Sequence, residues 1–403
     1  MRRRKEAGQA LVLTAFALTL LTSAAGLGID MGYLRYQKRL QQSAADSAAI
    51  AGASDISYNN VTTAAKTDSA SNGYTDGSNN VTVTVYNPPN DGPHAGVADY
   101  VEVLVKKVQP TFFMRILGVY STPVIARAVA YLSGNAKSCM YAIGTGGGNG
   151  ILNNGSGSLS APNCGIIDNE SMLNNGSGTI TASAIGVVGS VTNNGSGSIN
   201  APPNPPPVTG IVPAADPLAY LQPPTPGTCL PSNAGTVNGS APATLSQGNY
   251  CSGITVNGSS TVTLNPGIYT ITGGGMTFNG SGTITGTGVT FYIGSSGGSV
   301  TLNGSETFNL TAPTTGADAG ILFYQDRSNT SGATVNGSQT SKFQGAIYFP
   351  SAQLTLNGSG STGAYFISVA KSYLLNGSGT LHFPSDYSSL PGGSPIKDAI
   401  LVE

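Results

Sequence analysis

Four cysteines, two histidines and a thin scatter of carboxylates are all this chain offers for chemistry. Cys139 and Cys164 lie 25 residues apart, and Cys229 and Cys251 lie 22 apart. Spacings that long, with no histidine nearby, do not describe a tetrahedral zinc site. Four cysteines allow three disulfide connectivities. The pairs 139–164 and 229–251 are expected, because each separation matches the repeat period described below. Such bonds require an oxidising compartment. Among the carboxylates, Asp168 with Glu170, and Asp318 with Asp326 and Arg327, are the groupings nearest to the acid–base pairs of polysaccharide-cleaving parallel β-helices. Asp326-Arg327 in "FYQDRS" is the best of them, yet neighbouring opposite charges more simply make a surface ion pair or a loop anchor. His94 sits in a Gly/Pro turn with no ligand cluster, and His382 alternates with Leu381 and Phe383 as an outward strand residue. Gly-rich "GTGGGNG" lacks the Lys-Ser/Thr and the following helix of a phosphate loop. The expectation is a protein without catalytic, cofactor-binding or metal-binding residues: not an enzyme.

The elements that must carry these residues are set by a repeat. Asn-Gly-Ser recurs at Asn154, Asn175, Asn194, Asn238, Asn257, Asn279, Asn303, Asn336, Asn357 and Asn376, mostly at intervals of 19 to 24. Repetition at that period predicts a solenoid in which each unit covers its neighbour's apolar face. Five residues after the Asn stands an apolar side chain in seven copies (Leu159, Ile180, Ile199, Val262, Ile284, Phe308 and Leu381). Each unit therefore reads as strand, corner, strand: one coil of a parallel β-helix. Asn and Gly tolerate positive φ and suit the corner, and stacking would bring the asparagines within about 4.8 Å of one another as a ladder. Asn-Gly-Ser is also a glycosylation sequon, but repetition at coil period favours the corner role. The double interval between Asn194 and Asn238 holds a proline-dense stretch, 201–229, that cannot sit in a central ladder and reads as an excursion over the solenoid surface.

Composition narrows the function. Only 9% of the 403 residues are charged and the net charge is −1, which excludes a phosphate-tracking nucleic-acid binder. Seven of the 17 Lys and Arg lie in the first 39 residues, whereas Cys139 to the C-terminus carries four basic and nine acidic residues. Ala7 to Ile29 contains no charge, enough to cross roughly 30 Å of hydrocarbon as a helix. The four basic residues before it predict a cytoplasmic N-terminus. A cleaved signal peptide ending near Ser23-Ala24-Ala25 is the alternative. Helical propensity then continues through "YLRYQKRLQQSAADSAAIAGA", where Asp46, Ala48, Ala49 and Gly52 mark a small-residue stretch suited to helix packing. "VTVTVYNPP", "DYVEVLVKKVQP" and "PVIARAVAYL" read as strands. "TFFMRILGV" reads as a short amphipathic helix with Phe112, Phe113, Ile116 and Leu117 on its core side.

The entry Gly8-Gln9-Ala10, the exit Gly28-Ile29-Asp30 and the run Ala44 to Ala53 resemble the N-terminal region of bacterial TadE/TadG-like Flp pilus-assembly proteins, over about residues 8 to 53. Leu13 stands where a type IV-like prepilin cleavage motif has Glu, five residues after Gly8, so the resemblance implies an uncleaved TadG-like anchor. Segments such as "LNPGIYTI" and "GAIYFPS" resemble the extracytoplasmic part of some long TadG-like proteins; "PGIYTI" is also similar to ice-binding and adhesin-type solenoids. The expected architecture is mainly β: residues 1–53 as basic tail, transmembrane helix and helical extension; 54–134 as a small α+β module; 135–403 as a β-solenoid of about 19–24 residues per coil. The resemblance implies a single-pass bacterial inner-membrane protein, its bulk in the periplasm or at the cell surface. Its partners would be the membrane, other pilus-assembly or envelope proteins and a surface glycan, with no nucleic acid and no cofactor. The alternatives are an adhesin-like or ice-binding solenoid and, after that, a carbohydrate-active β-helix enzyme.

Overall fold

The computed structural model describes residues 3–56, 59–133, 138–200, 203–303, 305–336, 341–357 and 361–402. The chain forms two compact units, Met1–Ser133 with Asp398–Glu403, and Gly134–Lys397.

In the first unit one uninterrupted helix, α1, runs from Arg3 to Ser54. No proline breaks it, and at 1.5 Å per residue it is about 78 Å long. Its two halves have different surroundings. Leu11, Phe16, Leu20 and Leu21 are exposed, whereas Ala44, Ala45, Ala48, Ala49 and Ala53 are fully buried. The alanines recur at i, i+4 and i+5, one stripe of a 3.6-residue helix. They pack on a second helix, α2 (Val61–Ser71), and on an antiparallel sheet. The sheet is built from β1 (Val81–Tyr86), β2 (Tyr100–Pro110) and β3 (Ser121–Ser133). Buried Gln41 fixes the docking by donating to the carbonyls of Val105 and Val124, at 3.2 and 2.9 Å.

Three features of this unit differ from the sequence reading. α2 replaces what had no assigned element, its β-branched start hiding a short helix. The strand Asp398–Leu401 joins β3 antiparallel, pairing Tyr131 with Ile400, so the C-terminus is a sheet edge and not solenoid. Finally, "TFFMRILGV" is a single 3-10 turn, Met114–Leu117, and its apolar side chains do not face a core. Phe112, Phe113, Ile116 and Leu117 are 51%, 42%, 84% and 72% exposed.

The second unit is a parallel β-solenoid of about ten turns, each contributing strands to three faces. The spatial order of its coils is not the order of the sequence. Coils containing Asn238, Asn257, Asn279, Asn303, Asn336, Asn357 and Asn376 stack consecutively. The coil of Asn154 then stacks on that of Asn376, with Leu374 paired to Leu152 and Leu381 to Leu159, and is followed by those of Asn175 and Asn194. The first three coils in the chain thus complete the far end of a stack that begins at residue 236. "LLNGSGTLHF" lies inside the stack, flanked on both sides.

Inward positions interlock as columns. Tyr250, Tyr269, Phe291, Phe323 and Phe349 follow one another with centroid separations of 5.1 to 6.5 Å. Each such ring, buried, contributes on the order of 1.5–3 kcal/mol. Where the three N-terminal coils place Asn153, Asn174 and Asn193 at the inward position before the corner, the amides satisfy each other along the stack. Asn153 donates to Asn174 at 2.9 Å, and Asn174 to Asn193 at 2.8 Å.

Candidate functional site

The repeat asparagines form one column on the outside edge of the stack, on backbone that aligns rung by rung. Asn175 donates to Asn154 at 3.1 Å, Asn194 to Asn175 at 3.1 Å, Asn257 to Asn238 at 3.0 Å and Asn336 to Asn303 at 2.9 Å. Asn303 also donates to Asn279. The ladder is present, but the corner is not made by left-handed asparagine. Among the described residues the positive-φ non-glycines are Asn59, Asn79, Asn80 and Asn200, none of them in the column. The following glycine is needed for two reasons: Gly239 and Gly258 sit at φ of 92° and 102°, and a Cβ on Gly176 would lie 1.7 Å from the carbonyl oxygen of Gly155 in the adjacent coil. At Gly155, Gly176, Gly195 and Gly280 the corner is a point of backbone-to-backbone contact, and that contact admits only hydrogen.

Two residues before each Asn in part of this column, a threonine stripe runs parallel to it. Thr255, Thr277, Thr301, Thr334 and Thr355 occupy equivalent half-buried positions in successive rungs, with Thr236 beyond them. At about 4.8 Å per rung, six threonines span roughly 24 Å. Leu374, Leu152 and Leu173 replace threonine in the next three rungs, so the hydroxyl array ends within the stack.

The carboxylate groupings are occupied by structure. Arg327 donates to the carbonyls of Leu221 at 3.1 Å, Leu218 at 3.0 Å and Ala219 at 2.8 Å, and lies 3.9 Å from Asp216. Tyr348 donates to Asp216, and Tyr324 to the Leu221 carbonyl. Arg327 therefore clasps the proline-rich excursion, whose Leu218 and Leu221 are buried. The excursion is a strap along the stack. Val208-Thr209 pairs with Gly186-Val187, Ala214 exchanges two hydrogen bonds of 2.8 Å with Asn169, and Cys229 bridges to Asn249 at the opposite end. Burial alone would raise the Asp326 carboxyl. Hydrogen bonds from Ser328 and Tyr292, with the Arg327 charge, outweigh it and hold the group below its ordinary value. Asp326 thus stays an acceptor for a structural turn, and Asp318, raised by burial, does not join it in a paired site.

Asp168 is fully buried and accepts from Ile151 and Glu170 backbone N–H groups at 3.0 and 2.9 Å. Burial is the largest influence on it and pushes the carboxyl up to about 7. Glu170 accepts the N–H groups of Gly146 and Gly147. The Gly-rich loop therefore cradles a carboxylate of its own chain, and Gly150 is glycine because the Asp168 oxygen lies 1.9 Å from where its Cβ would be. His382 is an exposed strand residue opposite Ser160. His94 stacks on Tyr100 at 4.1 Å, a contact that its loop setting did not suggest. Among the described residues no group of three His, Cys, Asp or Glu could hold a metal.

Cys139 is bonded to Cys164 and Cys229 to Cys251, with Cα atoms 5.7 and 5.5 Å apart. The first bond ties adjacent rungs; the second fastens the end of the strap to the coil that starts the other end of the stack. Of the small-residue stretch on α1, Ala48, Ala49 and Gly52 face α2 and the sheet of their own unit. A Cβ on Gly52 would meet Val101, Ala65 and Val61 at 3.0 to 3.4 Å. Asp46 is half-buried at the edge of that face and accepts from Gln42 at 2.7 Å. Sequence reading missed Asp30 as a partner: it is buried and accepts the N–H groups of Phe112, Phe113 and Met114 at 2.8, 2.9 and 2.6 Å. Its place at the end of the uncharged run, in the Gly28-Ile29-Asp30 exit, was the available signal.

An apolar N-terminal helix long enough to cross a membrane is joined to a helix-on-sheet unit and a disulfide-tied solenoid, an arrangement that fits a membrane-anchored protein. The N-terminal region is TadE/TadG-like: residues 8–55 match the model described as Flp pilus-assembly TadE/G-like, and residues 41–130 the model described as Tad-like Flp pilus-assembly. Residues 230–389 match a domain of unknown function (DUF7305), which begins at the strap's end and covers the coils that are consecutive in sequence. No curated protein and no solved structure matches the chain. These features support a membrane-anchored assembly component of the Tad type.

Proposed function

We propose that this protein is a non-catalytic structural component of a Tad/Flp-type pilus or a related bacterial surface apparatus, held in the inner membrane by α1 with its N-terminus cytoplasmic. The solenoid stands outside the cytoplasm and works by contact with other envelope proteins. The observation that carries this reading is the pair of Tad matches over residues 8–130, which coincide with the apolar helix and the unit that packs on its second half. The basic flank of the apolar run and the two disulfides support the orientation. Deletion of the gene in its native cell, with affinity purification of the intact protein from membranes, tests the reading. Loss of pili and recovery of pilin or secretion-ATPase components are expected. Normal pili together with no Tad component in the purified fraction would overturn it.

The threonine stripe favours a second reading, an adhesin-like or ice-binding surface. A flat hydroxyl array with a repeat of about 4.8 Å offers the same group to a periodic ligand at every rung. Replacing Thr277 and Thr301 by Val would weaken binding to a polysaccharide array or to ice if that face is used. Retention of all binding by this variant would exclude the face.

A further inference from the structure

The exposed apolar turn that sequence reading placed in a core lies against the membrane helix. Phe113 packs on the α1 backbone at Gly26, where an added Cβ would stand 2.6 Å from its ring. Ile116 and Leu117, with Phe113, line a groove whose other wall is Thr19, Thr22, Ser23 and Leu27 of α1. Those helix residues belong to the uncharged run that ends at Ile29. With a rise of 1.5 Å per residue, Ser23 lies about 9 Å and Thr19 about 15 Å inside that end. If α1 spans roughly 30 Å of hydrocarbon, the turn reaches well into one leaflet.

Non-helical backbone is excluded from lipid when its N–H groups lack partners, each costing several kcal/mol. Here most are provided for. Asp30 takes those of Phe112, Phe113 and Met114. Ile116 donates to Phe113, Gly118 to Arg115, Val119 to Met114 and Thr111 to Tyr120, all between 3.0 and 3.1 Å. The polar end of the motif has an interfacial signature: Tyr33 packs edge-on against Phe112 at 5.1 Å, and Tyr36 and Tyr120 are exposed. Tyrosines and a nearby cation, here Arg115, are the side chains that gather at headgroup level.

We propose that residues 112–119 form a second membrane-embedded element, a wedge whose Phe113, Ile116 and Leu117 contact the acyl chains of the same leaflet as the Asp30 end of α1. The inference rests on the anchor reading of α1. The wedge fixes how far the helix-on-sheet unit stands from the bilayer, because the turn joins β2 to β3 directly and Asp30 ties it to the helix.

The test uses the full-length, disulfide-intact protein in phosphatidylcholine vesicles, with an environment-sensitive fluorophore on a single introduced cysteine. Ile116→Cys and Leu117→Cys report the wedge, Phe16→Cys reports the anchor, and Val97→Cys reports the connection at the opposite end of β2. Quenching by lipids brominated on their acyl chains should at 116 and 117 be on the order of half or more of that at 16, since both lie in hydrocarbon. None is expected at 97. Quenching at 16 without quenching at 116 and 117 overturns the wedge and leaves the anchor. A blue-shifted but unquenched probe at 116 means that protein, such as a second copy, covers the turn, which also overturns it. No quenching at 16 removes the anchor reading itself, and the wedge with it.

Discussion

Replacing Gly176 by alanine tests why the repeat keeps a glycine after its asparagine. An added Cβ at 176 falls 1.7 Å from the Gly155 carbonyl oxygen, 2.8 Å from its carbon and 3.1 Å from its nitrogen. All three are backbone atoms, so no side-chain rotation relieves the contact. Reaching an ordinary separation of about 3.4 Å requires the two corners to part by well over 1 Å, against a rung spacing of about 4.8 Å. Three bonds between these corners are then lost: Gly176 N–H to Asn153 at 3.2 Å, Gly178 N–H to Gly155 at 3.4 Å, and Asn175 to Asn154 at 3.1 Å. At about 1 kcal/mol each the cost is roughly 3 kcal/mol. For a unit of this size that lowers the thermal midpoint by roughly 6–12 °C. Gly227→Ala, where nothing lies within 4 Å of the new methyl, should leave the midpoint unchanged. The assay is thermal unfolding of the disulfide-intact protein in detergent, followed by circular dichroism. A Gly176→Ala midpoint equal to that of Gly227→Ala would refute the contact argument.

Asp168, with its carboxyl up near 7, stabilises the fold in its protonated form, so that stability is full below the ordinary aspartate value and is lost as pH rises through about 7. Each such group gives a slope of about 1.4 kcal/mol per pH unit across that window; Asp168→Asn should remove one such share, and identical pH slopes in the two proteins would contradict it. Arg327→Ala should free the strap, giving new cleavage within residues 208–222 under limited proteolysis at a local cost of roughly 3–5 kcal/mol from three bonds to buried carbonyls; an unchanged digestion pattern would count against the clasp. Asp30→Ala should strip three donors of their acceptor and cost roughly 3 kcal/mol, read as faster amide exchange at 112–114, and unchanged exchange there would remove Asp30 from its role.

Much of the candidate site was legible because its signals are local. Cysteine separations equal to one coil, an opposite-charge pair in a loop and a histidine alternating with apolar neighbours each describe their own setting. What escaped depends on distant partners. Asp30 meets the turn at 112–114 more than eighty residues away, and Arg327 reaches Leu218 across a separation of 109. The short helix α2 was hidden because Val61, Thr62 and Thr63 favour strand on propensity, and packing on the α1 alanines overrides that preference.

By itself the sequence determined the repeat, and the repeat determined the coil: its length, its inward and outward positions, and its asparagine column. It also determined that α1 carries no charge from Ala7 to Ile29 and that the chain ends its cationic character early. Tertiary structure alone decided the order of the stack. Every coil presents the same edge of backbone donors and acceptors, so the period allows any two coils to be neighbours. In the fold Asn376 lies between Asn357 and Asn154, and the strap makes the return along the stack that this order requires. Tertiary structure likewise decided the fate of Phe112 to Leu117. Apolar spacing cannot distinguish a side chain bound for a protein core from one bound for lipid; only its placement against the uncharged end of α1 does so.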